Sequence, residues 1–163
     1  MSHDIRRILC CVGLRGDCDL VLTQAVGLAL ATGAELHILH AVKSLSDDVV
    51  NTLKVNIRDR EMLETLMAQR LDQAREELDQ RIDIFWRRHP ELHDAYGDKE
   101  VTRSVLEGYP ASVITHFASR SGSDLIVMAA NKRSFVAAYA GKVTKGVIKR
   151  AKVPVVVVPA KAS

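Results

Sequence analysis

Aromatic residues are scarce, at 4% of 163 residues, with a single tryptophan. A chain so poor in flat side chains has little with which to build a base-stacking platform, which weighs against nucleic acid as a partner. No apolar stretch approaches the roughly 20 residues of a membrane helix. The start, Met1 to Arg7, leads only into the short run Ile8 to Leu14, without a small-residue cleavage pattern. We therefore expect a cytoplasmic protein with no membrane partner. The three cysteines, Cys10, Cys11 and Cys18, form an odd set without metal-type spacing, and neighbours on a strand point to opposite faces. They read as reduced and structural.

Catalytic signatures are missing as well. The chain has no Gly-x-Ser-x-Gly elbow, no CxxC pair and no metal-binding His-Glu-x-x-His pair, so neither a catalytic set nor a metal site is expected. Ser134 and Thr144 are available hydroxyls to which the sequence assigns no base. His37 and His40, three apart on a strand, face opposite sides and read as packing or surface residues, and His116 reads as a partly buried structural histidine on an amphipathic helix. Internal repeats and low-complexity tracts are absent too.

What is present is an alternation of strands and helices. With 47% hydrophobic and 26% charged residues, the chain can bury one ordinary core, and a single domain over 1–163 is the simplest organisation. Ile5 to Val12 reads as a strand, and Leu22, Ala25, Val26, Ala29 and Leu30 trace a helix, capped by Asp17 or Asp19 and closed by Gly33. Glu35 to Val42 is a second strand. Ser46-Asp47-Asp48 resembles a helix start inside an otherwise irregular stretch. From Asp59, Leu63, Met67, Leu71, Ala74, Leu78, Ile82 and Phe85 form one stripe of a long helix that ends before Pro90, with Trp86 covering its end. Thirty helical residues measure about 45 Å against about 20 Å for a strand, so this helix must overhang the sheet or bend.

His89 to Asp98 is polar and turn-rich, Glu100 to Leu106 alternates like a third strand, and Pro110 suits the first turn of a helix over Ala111 to Arg120. Leu125 to Ala130 and Val155 to Val158 are apolar without alternation, as in strands covered on both faces. A helix opened by Gly141 lies between them. This order predicts right-handed crossovers and a doubly wound α/β fold, a parallel sheet with helices on both faces. Ligands in such sheets lie outside the carboxyl ends of the strands, which directs attention to Ala129 to Gly141.

Val105-Leu-Glu-Gly-Tyr-Pro-Ala111, Ser123-Asp-Leu-Ile-Val-Met128, Gly141-Lys-Val143 and Val153-Pro-Val155 together resemble the universal stress protein family. Ile8-Leu9 and Gly33-Ala-Glu-Leu-His37 are similar to the family's opening, while a helical stretch of about 45–90 is longer than many members carry. The resemblance implies an adenine nucleotide alpha hydrolase-like sheet of five strands ordered 3-2-1-4-5. It also implies a homodimer, commonly through the last strands, here Val153, Val155, Val156, Val157 and Val158. An apolar edge strand left unpaired would be an aggregation hazard, so dimerisation there makes physical sense.

Members that bind ATP carry Gly, two residues, Gly, nine residues, then Gly followed by Ser or Thr, so that bare N–H groups wrap the phosphates. Laid on that pattern this chain offers Ala129, Lys132, Gly141 and Lys142, with eight residues rather than nine in the second gap. Gly13 stands where the adenine-side Asp is expected, followed by Leu14 and Arg15. The degenerate nucleotide-site positions are thus Gly13, Arg15, Val42, Met128, Asn131, Arg133, Gly141, Lys142 and Val143. Opposing this erosion, Lys132, Arg133, Lys142, Lys145, Lys149, Arg150 and Lys152 crowd seven cations into about twenty residues without an acid. Flexible lysines attract anions without the geometric selection of a glycine-lined loop. The expectation is a non-enzymatic, dimeric stress-response or regulatory protein with no cofactor and an unknown protein partner. ATP or another adenine nucleotide is the first alternative ligand; a nucleic acid or other anionic partner on the basic 132–152 segment is the second.

Overall fold

The computed structural model describes residues 4–57, 59–130 and 141–159. Five parallel strands form one sheet, β1 (Arg7–Cys11), β2 (Glu35–Lys43), β3 (Thr102–Gly108), β4 (Leu125–Ala129) and β5 (Val155–Val158), in the order β3-β2-β1-β4-β5. The interleaved helices are α1 (Asp19–Thr32), α2 (Asp47–Asn56), α3 (Arg60–Arg88), α4 (Pro90–Tyr96), α5 (Pro110–Ser121) and α6 (Lys142–Arg150). Fold class and strand order are those expected.

Two apolar layers explain why the strands lack alternation. Cys10, Leu36, Ile38 and Val127 face α1 and α3, whose Leu22, Val26, Leu78, Ile82 and Phe85 complete one core. Leu9, Cys11, Leu39, Ile126 and Met128 face the other way, onto Ala111, Ile114 and Ala118 of α5 and Val147 of α6. Consecutive residues of β1 are buried because each meets a different helical layer. The three thiols are free and buried, with Cys10 and Cys11 in opposite cores.

Local signals mostly held. Gly33 ends α1 at φ 73°, in the left-handed region that glycine enters without steric cost. Ser46 caps α2 by accepting from the Val49 N–H, and Asp59 caps α3 by accepting from Glu61 and Met62. The long helix is continuous, and its stripe is covered from end to end: Leu63, Ala74, Leu78, Ile82 and Phe85 are buried, whereas Met62 and Leu66, off the stripe, are exposed.

Five expectations need correction. Cys18, not an aspartate, is the residue before α1; Asp17 instead accepts the Asp19 N–H, an Asx turn just outside the helix. His89 to Asp98 holds α4, which Pro90 opens and which Tyr96, itself buried, pins to the core; its short length hid the period. The third strand runs two residues later than Glu100 to Leu106, because pairing with β2 continues to Gly108. Val153 precedes β5 in a bend and packs on the α5/α6 core, so it does not belong to the edge strand. His116 is exposed, since α5 turns Ile114 and Ala118 inward instead.

Candidate functional site

The carboxyl ends of β1 and β4 emerge together because Cys11 is opposite Met128, while β2 runs on from Leu39, opposite Cys11, to Lys43. Beyond β1 the Val12 carbonyl accepts from His40 Nδ1 at 2.8 Å, while the Val12 N–H donates to Leu39. Gly13 then enters solvent, where an added Cβ would meet nothing within 4 Å and φ is not positive. Glycine is therefore not a backbone requirement at this position. Its effect is chemical: no side chain stands at the end of β1.

The loop that follows is held from a distance. Arg81 of α3 donates to the Leu14 carbonyl at 2.5 Å and to the Gly16 carbonyl, fixing the backbone around exposed Arg15. Arg70, three turns earlier, bridges Glu107 Oε2 at 2.5 Å and the Lys43 carbonyl at 2.7 Å, tying α3 to the ends of β2 and β3. Sequence reading missed both arginines. The only signal was their place on the polar flank of the α3 stripe, and no local pattern names a partner 27 to 67 residues away.

On the β4 side, the Gly141 N–H donates to the Ala130 carbonyl at 2.9 Å, and Thr144 Oγ1 donates to the Ala129 carbonyl at 3.0 Å. Thr144 is wholly buried. Gly141 has φ −63° and ψ 171°, ordinary extended backbone, and precedes α6 without a side-chain cap. The first amides of a helix lack intrahelical acceptors, so those of Lys142, Val143 and Thr144 form a positive helix terminus. Its only first-turn hydroxyl points inward.

The predicted positions divide. Gly13, Arg15, Gly141 and Lys142 lie at the carboxyl edge, and Val42, half-buried, closes the β2 side while packing on the α1/α3 core. The Met128 and Val143 side chains turn into the α5/α6 core, which leaves only their backbone to face the edge. Asn131 and Arg133, with Lys132 and Ser134, lie outside the described residues.

Away from this edge, His37 sits between hydroxyls of β3, with Nδ1 2.5 Å from Thr102 Oγ1 and Nε2 2.9 Å from Ser104 Oγ, and stacks on Phe117 at 4.8 Å. Burial holds its imidazole below the ordinary 6.5. Burial also raises the thiols: Cys10 well above the usual range, Cys11 to about 12, and Cys18 less simply, because the adjacent Arg81 opposes the shift. Trp86 covers the end of α3, stacked on His93 and tilted against Phe85 and Tyr96.

Among the described residues no group of three or more His, Cys, Asp or Glu could hold a metal, and no helix is long and apolar enough to cross a membrane. Comparison with solved structures returns the same sheet and helices. The hypothetical protein MJ0577 superposes with a TM-score of 0.65 at 21% identity, over 98% of this chain and 99% of that one. Universal stress protein UspA from Lactobacillus plantarum gives 0.62 at 21%, over 95% and 98%. A universal stress protein from Archaeoglobus fulgidus, solved in complex with dAMP, gives 0.59 at 19%, over 94% and 97%. At such identities the likeness concerns the fold. No curated protein matches the chain. The sequence model of the universal stress protein family matches residues 4–159, nearly the whole chain, and with the strand order it leads to one conclusion: the chain belongs to the universal stress protein family.

Proposed function

We propose that this universal stress protein acts as a homodimeric, non-enzymatic stress-response regulator that does not hold ATP in the family manner. The observation that carries this reading is the commitment of two donors at the start of α6: the Gly141 amide serves Ala130 and the Thr144 hydroxyl serves Ala129, which leaves an anion only the backbone amides of Lys142 to Thr144. With Lys142 where a Ser or Thr would offer a second hydroxyl, and Gly13 where a carboxylate would meet the nucleoside, both ends of the ligand lose directional partners. Each lost hydrogen bond to a charged group weakens binding by about 1.5–3 kcal/mol.

Dimerisation is supported by β5. It ends the sheet beside β4, and its Pro154 and Val158 carbonyls accept from Ile126 and Ala130. Strand groups alternate sides, so Val155 and Val157 direct their N–H and C=O away from the sheet, a row that a second copy of β5 would satisfy. Purified protein should sediment as a dimer free of nucleotide. Val157→Pro removes one outward donor without touching the β4 ladder, and a monomer is expected. A monomeric wild type, or protein that emerges carrying stoichiometric adenine nucleotide, would overturn the reading.

A second reading is an adenine-nucleotide sensor. The dAMP complex of the Archaeoglobus fulgidus relative and the positive terminus of α6 favour it.

A further inference from the structure

We propose that the outer face of α6 is a docking surface for an acidic, amphipathic polypeptide segment of a partner protein. The inference rests on the reading of the chain as an interaction protein; the surface meets the nucleotide edge only at Lys142 and lies apart from the β5 edge.

Formal charge is divided along the chain, and the described cations of its basic part include those on the exposed side of α6. Residues 1–107 carry fourteen Lys or Arg against nineteen acids, whereas residues 108–163 carry nine against a single acid, Asp124. Asp124 lies at the opposite end of the sheet, where its Oδ2 accepts the Arg6 and Arg7 amides at 2.8 and 3.0 Å. The two helices packed together on that side, α5 and α6, contain no Asp or Glu. α6 seats Val143, Thr144 and Val147 inward, and Gly146 lets it approach α5 closely: a Cβ there would lie 2.7 Å from Ala111 Cβ.

At 100° per residue, the exposed positions of α6 then fall in one arc of about 200°, in the order Ile148, Lys145, Lys149, Lys142, Arg150. Among the described residues Lys142 and Lys149 make no salt bridge. Ile148, 53% exposed, borders the cations at one edge of this face, and Tyr109, 58% exposed, lies under the Arg150 guanidinium, 5.5 Å from its ring centre, at the other. This combination selects the partner. A phosphodiester backbone would use the lysines and leave Ile148 in water. A membrane would find one apolar side chain on a nine-residue helix beside Ser112, His116 and Ser119 of α5, all exposed and polar, too little to insert. An acidic helix with one large apolar residue beside its carboxylates satisfies both the charges and Ile148.

The test is selection of an unbiased 16-residue peptide library on the intact protein, followed by anisotropy titration of the winners. Lys145 and Lys149 are chosen for substitution because they lie one and two turns away from the nucleotide edge. Selected peptides should place Asp or Glu at i, i+3 or i+4 and i+7 around one large apolar residue. Their affinity should fall more than tenfold with K145E/K149E, severalfold with K145Q/K149Q, and about fivefold with I148S, and it should weaken with salt. Wild-type protein should bind a 20-base-pair duplex and phosphatidylserine vesicles more weakly than the peptide. Neutral or basic winners, winners indifferent to these substitutions, or tighter binding to duplex or vesicles would overturn the proposal. ATP affinity and sedimentation of the same variants should be unchanged, so a failure of the functional reading above registers separately.

Discussion

Thr144 of α6 donates its hydroxyl to the Ala129 carbonyl at the end of β4, across 3.0 Å and out of contact with water. The bond locks the first turn of the helix to the strand it follows. A buried hydroxyl replaced by a methyl of the same shape leaves the acceptor short of a partner, at about 1–2 kcal/mol. Thr144→Val should lower the urea midpoint accordingly and leave ATP response unchanged. An unchanged midpoint would mean that the hydroxyl does not hold the helix to the strand.

Two glycines should respond in opposite ways. Gly13→Asp places a side chain in open space on unstrained backbone, so stability should stay within about 1 kcal/mol of wild type. Gly146→Ala adds a methyl 2.7 Å from Ala111 Cβ. Overpacking of about 1–3 kcal/mol outweighs the roughly 1 kcal/mol that alanine gains in a helix, so this variant should melt earlier. Thermal melts of both check the sign.

Stability should fall on acidification through His37. Its folded pKa lies below the ordinary 6.5, so the unfolded chain takes up the proton first as the pH drops. The contribution is complete above about 6.5 and is lost as pH falls from there through the folded value. Urea midpoints at pH 7.5 and 5 should differ more for wild type than for His37→Gln. Equal differences would remove His37 as the cause.

The thiols should be slow. With Cys11 raised to about 12, its thiolate fraction at pH 8 is on the order of one in ten thousand, and Cys10 is held higher than its usual range by the same burial. A disulfide reagent should modify Cys18 first, and Cys10 and Cys11 only as the protein unfolds. Rapid modification of all three in native protein would contradict the double-sided core.

Most of the fold was legible because each strand declared itself by composition. Leu125 to Met128 and Val155 to Val158 are apolar at every step, which only a sheet covered on both sides requires. The stripe from Leu63 to Phe85 announced α3 in the same way. The misses have physical causes. α4 is two turns long and held by the tertiary burial of Tyr96, which no local period reveals. Val153 is apolar because it packs from a bend, and composition cannot separate that from a strand. At the site, the substitutions at Gly13 and Lys142 were readable as letters. The inward turn of Thr144 and the reach of Arg81 and Arg70 were not, because each is a contact between elements distant in sequence.

The central claim is the loss of family-type ATP binding, and calorimetric titration tests it most directly. Nucleotide-stripped protein, shown to be folded, would be titrated with ATP with and without magnesium at physiological salt. No saturable heat up to millimolar ATP is the predicted result. Saturable micromolar binding would contradict the account and make Lys142 and the amides at the start of α6 the first candidates for its phosphate contacts.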